Sequence, residues 1–262
     1  MAGSEPPRPF SGSAMGDRLI VGALLLLAAG AAIALGGLVF ALLAGAAALL
    51  MFREWAGLTG IRRRGYSLGL AFVGAVVVLA AAGRAWPALL LLCAAVVVLM
   101  LVERSPWPGA GLSYAGLPAI ALVWMRSEPE GALLVLWTMA LVWATDIFAF
   151  FTGRAVGGPK IWPAISPSKT WAGLGGGMVA AAIASAAIGH QAGWPQPPLL
   201  LAVIGAGFAI LAQAGDFFES WLKRRAGVKD SGHLLPGHGG VMDRLDGLVP
   251  VAVAVGLWVA LR

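Results

Sequence analysis

Charge is scarce in this chain, and its scarcity decides the class before any motif is read. Only 11% of the 262 residues are Asp, Glu, Lys or Arg, while 60% are hydrophobic and the mean hydropathy is +0.87. Soluble domains carry about 25% charged residues, so a soluble globular fold is excluded and an integral membrane protein is indicated. Cysteine is nearly absent. Cys93 stands alone, which rules out an intrachain disulfide and leaves inert packing as its expected role. With three histidines beside that one cysteine, a zinc centre is short of ligands. The net charge of +6 would suit nucleic acid in a soluble chain. In a membrane protein it reads as an orientation signal and an attraction to anionic lipid, so no nucleic-acid partner is expected.

What fills the chain instead is apolar runs long enough, or nearly so, to cross a hydrocarbon core of ~30 Å. They are Leu19 to Leu35, Gly37 to Phe52, Tyr66 to Ala82, Ala85 to Val102, Gly109 to Met125, Ala132 to Phe151, Trp171 to Ile188, Leu199 to Gly215 and Leu248 to Leu261. The reading is an all-α, polytopic integral membrane protein of about nine transmembrane helices. The Gly36-Gly37 junction demands a tight helical hairpin or a single broken segment. Residues 1–16, rich in Pro, Ser and Gly, read as a disordered tail. Residues 17–262 form one transmembrane domain, divided into N-terminal helices (17–130) and a half that carries the polar motifs (131–262). With the N-terminus inside, nine crossings place 15 of the 18 Lys and Arg on the cytoplasmic side, as the positive-inside rule requires. The 37 glycines predict close helix packing through small residues.

The polar residues are crowded into one place. Gly215 to Gly247 holds five of the 12 acids, five of the 18 Lys and Arg, and two of the three histidines. Each such charge costs roughly 2.5–3.5 kcal/mol at the centre of a spanning helix, so the cluster must pair, bind ions or line water, and it is a functional site by default. Asp216, Glu219 and Lys223 follow an i, i+3, i+7 spacing that shares one helix face, and Asp243 and Asp246 repeat the i, i+3 step. Between them Gly237-His238-Gly239-Gly240 offers backbone N–H groups without Cβ atoms. Carboxylates hold Mg²⁺ while Lys, Arg and bare N–H groups hold phosphate, so the natural ligand is a metal-bound polyphosphate.

The run Ser220-Trp-Leu-Lys223-Arg224, then Lys229-Asp230, Pro236-Gly-His238-Gly239-Gly240 and Asp243-Arg244-Leu-Asp246 resembles the signature of phosphatidate cytidylyltransferases, the CDP-diglyceride synthases, with every fixed position in place over 27 residues. The resemblance implies a bacterial inner-membrane enzyme facing the cytoplasm, a homodimer by family tendency, that joins CTP to phosphatidic acid with Mg²⁺ and releases pyrophosphate. Catalytic roles are expected for Asp216, Lys223, Asp243, Arg244 and Asp246, with Asp216 and Asp243 holding one or two Mg²⁺ ions and Asp246 as an outer ligand. Substrate contacts are expected from Glu219, Arg224, Lys229, Asp230, His238, Gly239 and Gly240.

Two upstream islands join that set. Asp146 is the only charge inside its apolar run, so it must face a cavity and find a cation. Lys160 and then Ser166-Pro-Ser-Lys169-Thr170 lead into a helix whose entrance attracts anions, with Ser and Thr able to cap it. The family usually has Lys where Ser168 stands, Glu where Ala172 stands and Ser where Gly247 stands. Two other readings stay open at this point: an ion- or proton-coupled transporter, whose acids would be spread near the midplane of both halves, and a CTP transferase acting on a different lipid phosphate.

Overall fold

The computed structural model describes residues 12–234 and 239–261. It is built of helices in the order α1 (Gly12–Leu35), α2 (Gly37–Thr59), α3 (Arg63–Ala81), α4 (Ala85–Glu103), α5 (Trp107–Ser127), α6 (Gly131–Val156), α7 (Trp171–Gln191), α8 (Pro198–Arg225), α9 (Met242–Leu245) and α10 (Leu248–Leu261). Eight of the nine expected runs fall within one of these helices, and the ninth, Tyr66 to Ala82, overruns α3 by one residue. Among the described residues, seven helices, α2 to α8, are long and apolar enough to cross a membrane; Gly22–Leu35 and α10 are shorter. At 1.5 Å per residue the 14 residues of α10 reach only ~21 Å, short of ~30 Å of hydrocarbon. Seven helices of spanning length are thus present among the described residues, and the expected count of nine is not confirmed.

Other expectations shift as well. The helix α1 opens at Gly12, so positions 12–16 of the expected tail are helical, while residues 1–11 lie outside the described residues. The fold is not purely α: β1 (Lys160–Trp162) and β2 (Ser166–Thr170) pair antiparallel between α6 and α7. Gly157 and Gly158, at φ +70° and +90°, turn the chain out of α6 toward that hairpin through backbone angles that side chains with a Cβ resist. Cys93 is exposed on the surface of α4 rather than packed. Trp86 and Trp162 are exposed, whereas Trp194 is buried and donates to Glu130 at 2.7 Å.

Two packed groups share the bundle. In the first, α2, α3, α4 and α5 lie against one another; in the second, α6 packs on α7 and α7 on α8, while α10 fits against α5 and α8. The second group is drawn tight by glycine. A Cβ on Gly173 would lie 2.8 Å from the Ala149 carbonyl oxygen, and one on Gly177 would lie 2.9 Å from that of Thr145, so α6 and α7 touch backbone to backbone. The helices alternate in direction along this group. The C-terminal ends of α6 and α8 therefore meet the hairpin and the N-terminus of α7 at one end of the bundle. With 26 and 28 residues, α6 and α8 extend ~39 and ~42 Å, longer than the ~30 Å of a hydrocarbon core.

Candidate active site

The helix α8 continues past the apolar run for three more turns, and these turns carry the chemistry. Asp216, Glu219 and Lys223 lie along it at the predicted spacing. Its neighbour Gly215 is where the chain after α9 closes in: a Cβ there would collide with the Asp246 carbonyl oxygen and with the Pro250 ring. The absence of a side chain at 215 thus seats Asp246 against the turn of α8 that bears Asp216.

Lys223 is the hub of the inner cluster. Its Nζ lies 2.6 Å from Glu219 Oε2 and 2.6 Å from Asp243 Oδ1. The Glu219 side chain is almost fully buried, and its Oε1 has no partner among the described residues. Asp243 Oδ2 accepts from Gly240 N–H at 2.7 Å and from both the N–H and the hydroxyl of Ser231 at 2.9 Å. Burial pushes the Asp243 carboxyl upward, but Lys223 and these backbone donors outweigh it and hold the group down to about 2. Asp243 is therefore a fixed carboxylate, and Gly240 N–H, expected to face substrate phosphate, is engaged by it.

The outer part of the site is a cavity of about 420 Å³ between α6, α7, α8 and the hairpin, within the range of small-molecule sites. Asp146, Gln213, Asp216, Lys169, Lys160 and Arg154 supply its polar lining, and Ala149, Phe150 and Leu174 its apolar wall. Lys169 forms an ion pair with Asp216, donates to Gln213 Oε1 at 2.9 Å and lies over the Phe217 ring. Gln213 reaches toward Asp146 at 3.5 Å. Thr170 caps α7 as expected, accepting from Gly173 N–H at 3.0 Å.

Whether these residues suit a divalent cation is decided by their donors. Burial raises the Asp246 carboxyl to about 7, the nearby Asp216 and Asp146 carboxylates add to the shift, and Gly247 N–H and Lys169 oppose it. Carboxylates crowded in a half-buried corner form a natural seat for a hard cation, and Mg²⁺ is commonly held by one or two of them plus phosphate oxygens and water. Asp216 and Asp246 fit that pattern. Asp243 is more tightly engaged, with both oxygens taking protein donors at 2.6–2.9 Å, whereas Asp216 is met by Lys169 and, at 3.3 Å, by the Ser220 hydroxyl. No group of three His, Cys, Asp or Glu side chains among the described residues is gathered closely enough to hold a metal by itself, so Asp216, Asp243 and Asp246 do not form a closed ligand set and a cation here would need substrate phosphate or water as well.

The remaining expected residues scatter. Arg224 donates to the Val228 carbonyl at 3.0 Å; Lys229 and Asp230 are exposed on the segment between α8 and α9, and Arg244 is exposed on α9 itself. Lys160 lines the cavity and reaches the Ser168 carbonyl at 3.3 Å. Ser166 pairs with Trp162 in the hairpin and is outside the cavity lining, whereas Ser168 is within it. Gly239 adopts φ +82°, and His238 lies outside the described residues. Four contributors were not anticipated: Ser231, Gln213, Arg154 and Glu54. Glu54, in α2, accepts from Val241 and Met242 N–H, each at 2.8 Å, and from the Ser231 hydroxyl at 2.9 Å. Its signal was present, since it is an ionisable residue at the end of an apolar run.

Comparison with known proteins matches residues 16–261 to the cytidylyltransferase family. The chain is 41% identical over 239 residues to a phosphatidate cytidylyltransferase of Brucella abortus biovar 1 (strain 9-941), covering 86% of each chain. It is 39% identical over 267 residues to one of Pseudomonas aeruginosa, covering 93% of this chain and 97% of the relative. Over 119 residues, 45% of this chain and 44% of the relative, it is 40% identical to one of Bacillus subtilis (strain 168). With so much of its length matched, the chain belongs to the cytidylyltransferase family.

Proposed function

We propose that this protein is a phosphatidate cytidylyltransferase, converting CTP and phosphatidate to CDP-diacylglycerol and pyrophosphate. The observation that carries this reading is the two-natured cavity beside Asp216. Arg154, Lys160 and Lys169 give it cations for a phosphate, while Ala149, Phe150 and Leu174 continue it with an apolar wall. A lipid phosphate has that same division.

Phosphatidate is already ionised at neutral pH, so no general base has to create the nucleophile. Its phosphate oxygen forms a bond to the α-phosphorus of CTP; the bond from that phosphorus to the bridging oxygen breaks, and the electron pair leaves with pyrophosphate. The protein's contribution is to position two polyanions and neutralise their charge. Lys169, Lys160 and Arg154 offset the phosphate charges in the cavity. Lys223 neutralises the buried Glu219 and Asp243 and so keeps the loop before α9 in place. Asp216 and Asp246 would hold Mg²⁺, which when bound neutralises triphosphate charge and polarises the α-phosphoryl group.

In this reading the chain works in a bacterial cytoplasmic membrane as a homodimer. Residues 131–262 hold most of the reacting groups, the cavity faces the cytoplasm where CTP is found, and α1 and α10 would bring the crossings to nine, the 14-residue α10 as a short one over which the bilayer thins. The test is transfer of label from α-phosphate-labelled CTP into lipid by the purified protein with phosphatidate and Mg²⁺. Labelled CDP-lipid is expected; label that stays wholly in the aqueous phase would overturn the reading.

A further inference from the structure

We infer that Glu54 is a positioning residue of the reaction: it clamps the signature loop so that Asp243 and Asp246 are presented to the substrates. This inference rests on the catalytic reading above, though its geometry does not. Glu54 belongs to α2, far in sequence from the loop it touches, and its side chain is buried. Its two carboxylate oxygens take three donors from both flanks of the loop: Val241 N–H at Oε1, and Met242 N–H and the Ser231 hydroxyl at Oε2.

The loop is shaped around this carboxylate. A Cβ on Gly232 would lie 2.9 Å from Glu54 Oε1, and one on Gly240 would be forced onto Oε2 and the Ser231 hydroxyl. Ser231 links the clamp to the reacting group, because its hydroxyl stands 2.9 Å from both Glu54 Oε2 and Asp243 Oδ2. The anchor is stiff. Trp55, next in the chain, is almost fully buried, donates to the Trp107 carbonyl at 2.9 Å and stacks on Phe218 of α8 with ring centroids 6.0 Å apart. Glu54 is thus held against α5 and α8 while it holds the start of α9.

Two readouts separate a clamp from a residue that merely supports folding. In Glu54→Gln, which keeps the volume and removes the charge, charge-assisted hydrogen bonds are lost, so the Val241 and Met242 amides should exchange with deuterium about 10-fold faster. Amides inside α5 should keep their rates. In the same variant kcat for labelled CDP-lipid should fall about 10-fold or more with the KM for phosphatidate within about 2-fold, the split expected of lost transition-state positioning. Ser231→Ala, which removes the link alone, should lower kcat in the same manner without changing Val241 exchange. Unchanged exchange in Glu54→Gln overturns the clamp whether or not the wild type makes CDP-lipid. Faster exchange with unchanged kcat in both variants overturns its role in the reaction. Should Glu54→Gln not fold, Ser231→Ala decides alone: its kcat loss supports the inference and wild-type kcat overturns it.

Discussion

Lys223 Nζ and Asp243 Oδ1 meet at 2.6 Å across the gap between α8 and α9, with side chains only 11% and 7% exposed. At that burial the pair is shielded from solvent, and removing one partner strands the other. Lys223→Met would leave Glu219 and Asp243 buried without their cation, which costs about 3–5 kcal/mol for a broken buried pair. We expect a large drop in melting temperature in detergent together with loss of turnover. Glu219→Gln, which leaves the Lys223–Asp243 contact in place, should cost less. A Lys223→Met protein as stable as wild type would contradict this account of α9.

Asp216 holds a different kind of partner. It is paired with Lys169 at the rim of the cavity and is partly exposed, so removing its charge strands nothing deeply. Asp216→Asn should therefore remain folded and lose at least about 100-fold in turnover, the scale of a lost electrostatic contribution to a transition state. Turnover at wild-type rate in a folded Asp216→Asn protein would remove Asp216 from the proposed cation pair.

Most of this arrangement could be read along the chain, and the rest fails for a physical reason. Hydrophobic length located all nine apolar helices, but it misplaced their polar ends: α8 runs to Arg225, beyond Gly215, because charged residues facing a wet site still hydrogen-bond as helix. The spacing of Asp216, Glu219 and Lys223 was informative since helical neighbours are local. The β1–β2 hairpin was hidden because Ser166-Pro-Ser-Lys-Thr170 has no apolar alternation to announce a strand. Glu54 is visible as a charge beside an apolar run, but its role was hidden because its partners lie 177 to 188 positions away, a relationship no local period encodes.

Asp246 and Asp243 are shifted in opposite directions, and stability against pH should reveal both. Asp246 rises from 3.8 to about 7, so between those values the folded state holds a proton that the unfolded chain has released. Folded protein binds more protons there, and stability falls as pH rises from about 4 toward 7. Asp243 is lowered from 3.8 to about 2; its contribution is present above about 4 and is lost as pH drops toward 2. Asp246→Asn should flatten the decline on the neutral side and leave the acid side unchanged. Mg²⁺ with CTP should also reduce that decline if Asp246 binds the ion. Melting temperatures across pH 4 to 8 provide the check, and an equal decline in Asp246→Asn would show that another group is responsible.

The cavity itself depends on how closely α6 and α7 approach, and that distance is set by the glycines between them. A methyl group on Gly173 would sit 2.8 Å from the Ala149 carbonyl oxygen and 3.1 Å from Thr170 Oγ1, both on the cavity's own wall. Backbone cannot yield as a flexible side chain does, so the helices must part or tilt. Overpacking of this kind costs about 1–3 kcal/mol. It would also move Thr170, Lys169 and the hairpin relative to Asp216. Gly173→Ala should therefore lower turnover by more than its loss of stability explains. At Gly175, where a Cβ would meet nothing within 4 Å, the same substitution should be tolerated and, as a helix-interior Gly→Ala change, slightly stabilising. Melting temperature and turnover measured on this pair distinguish helix approach from glycine content: equal effects at the two positions would show that the spacing of α6 and α7 does not shape the site.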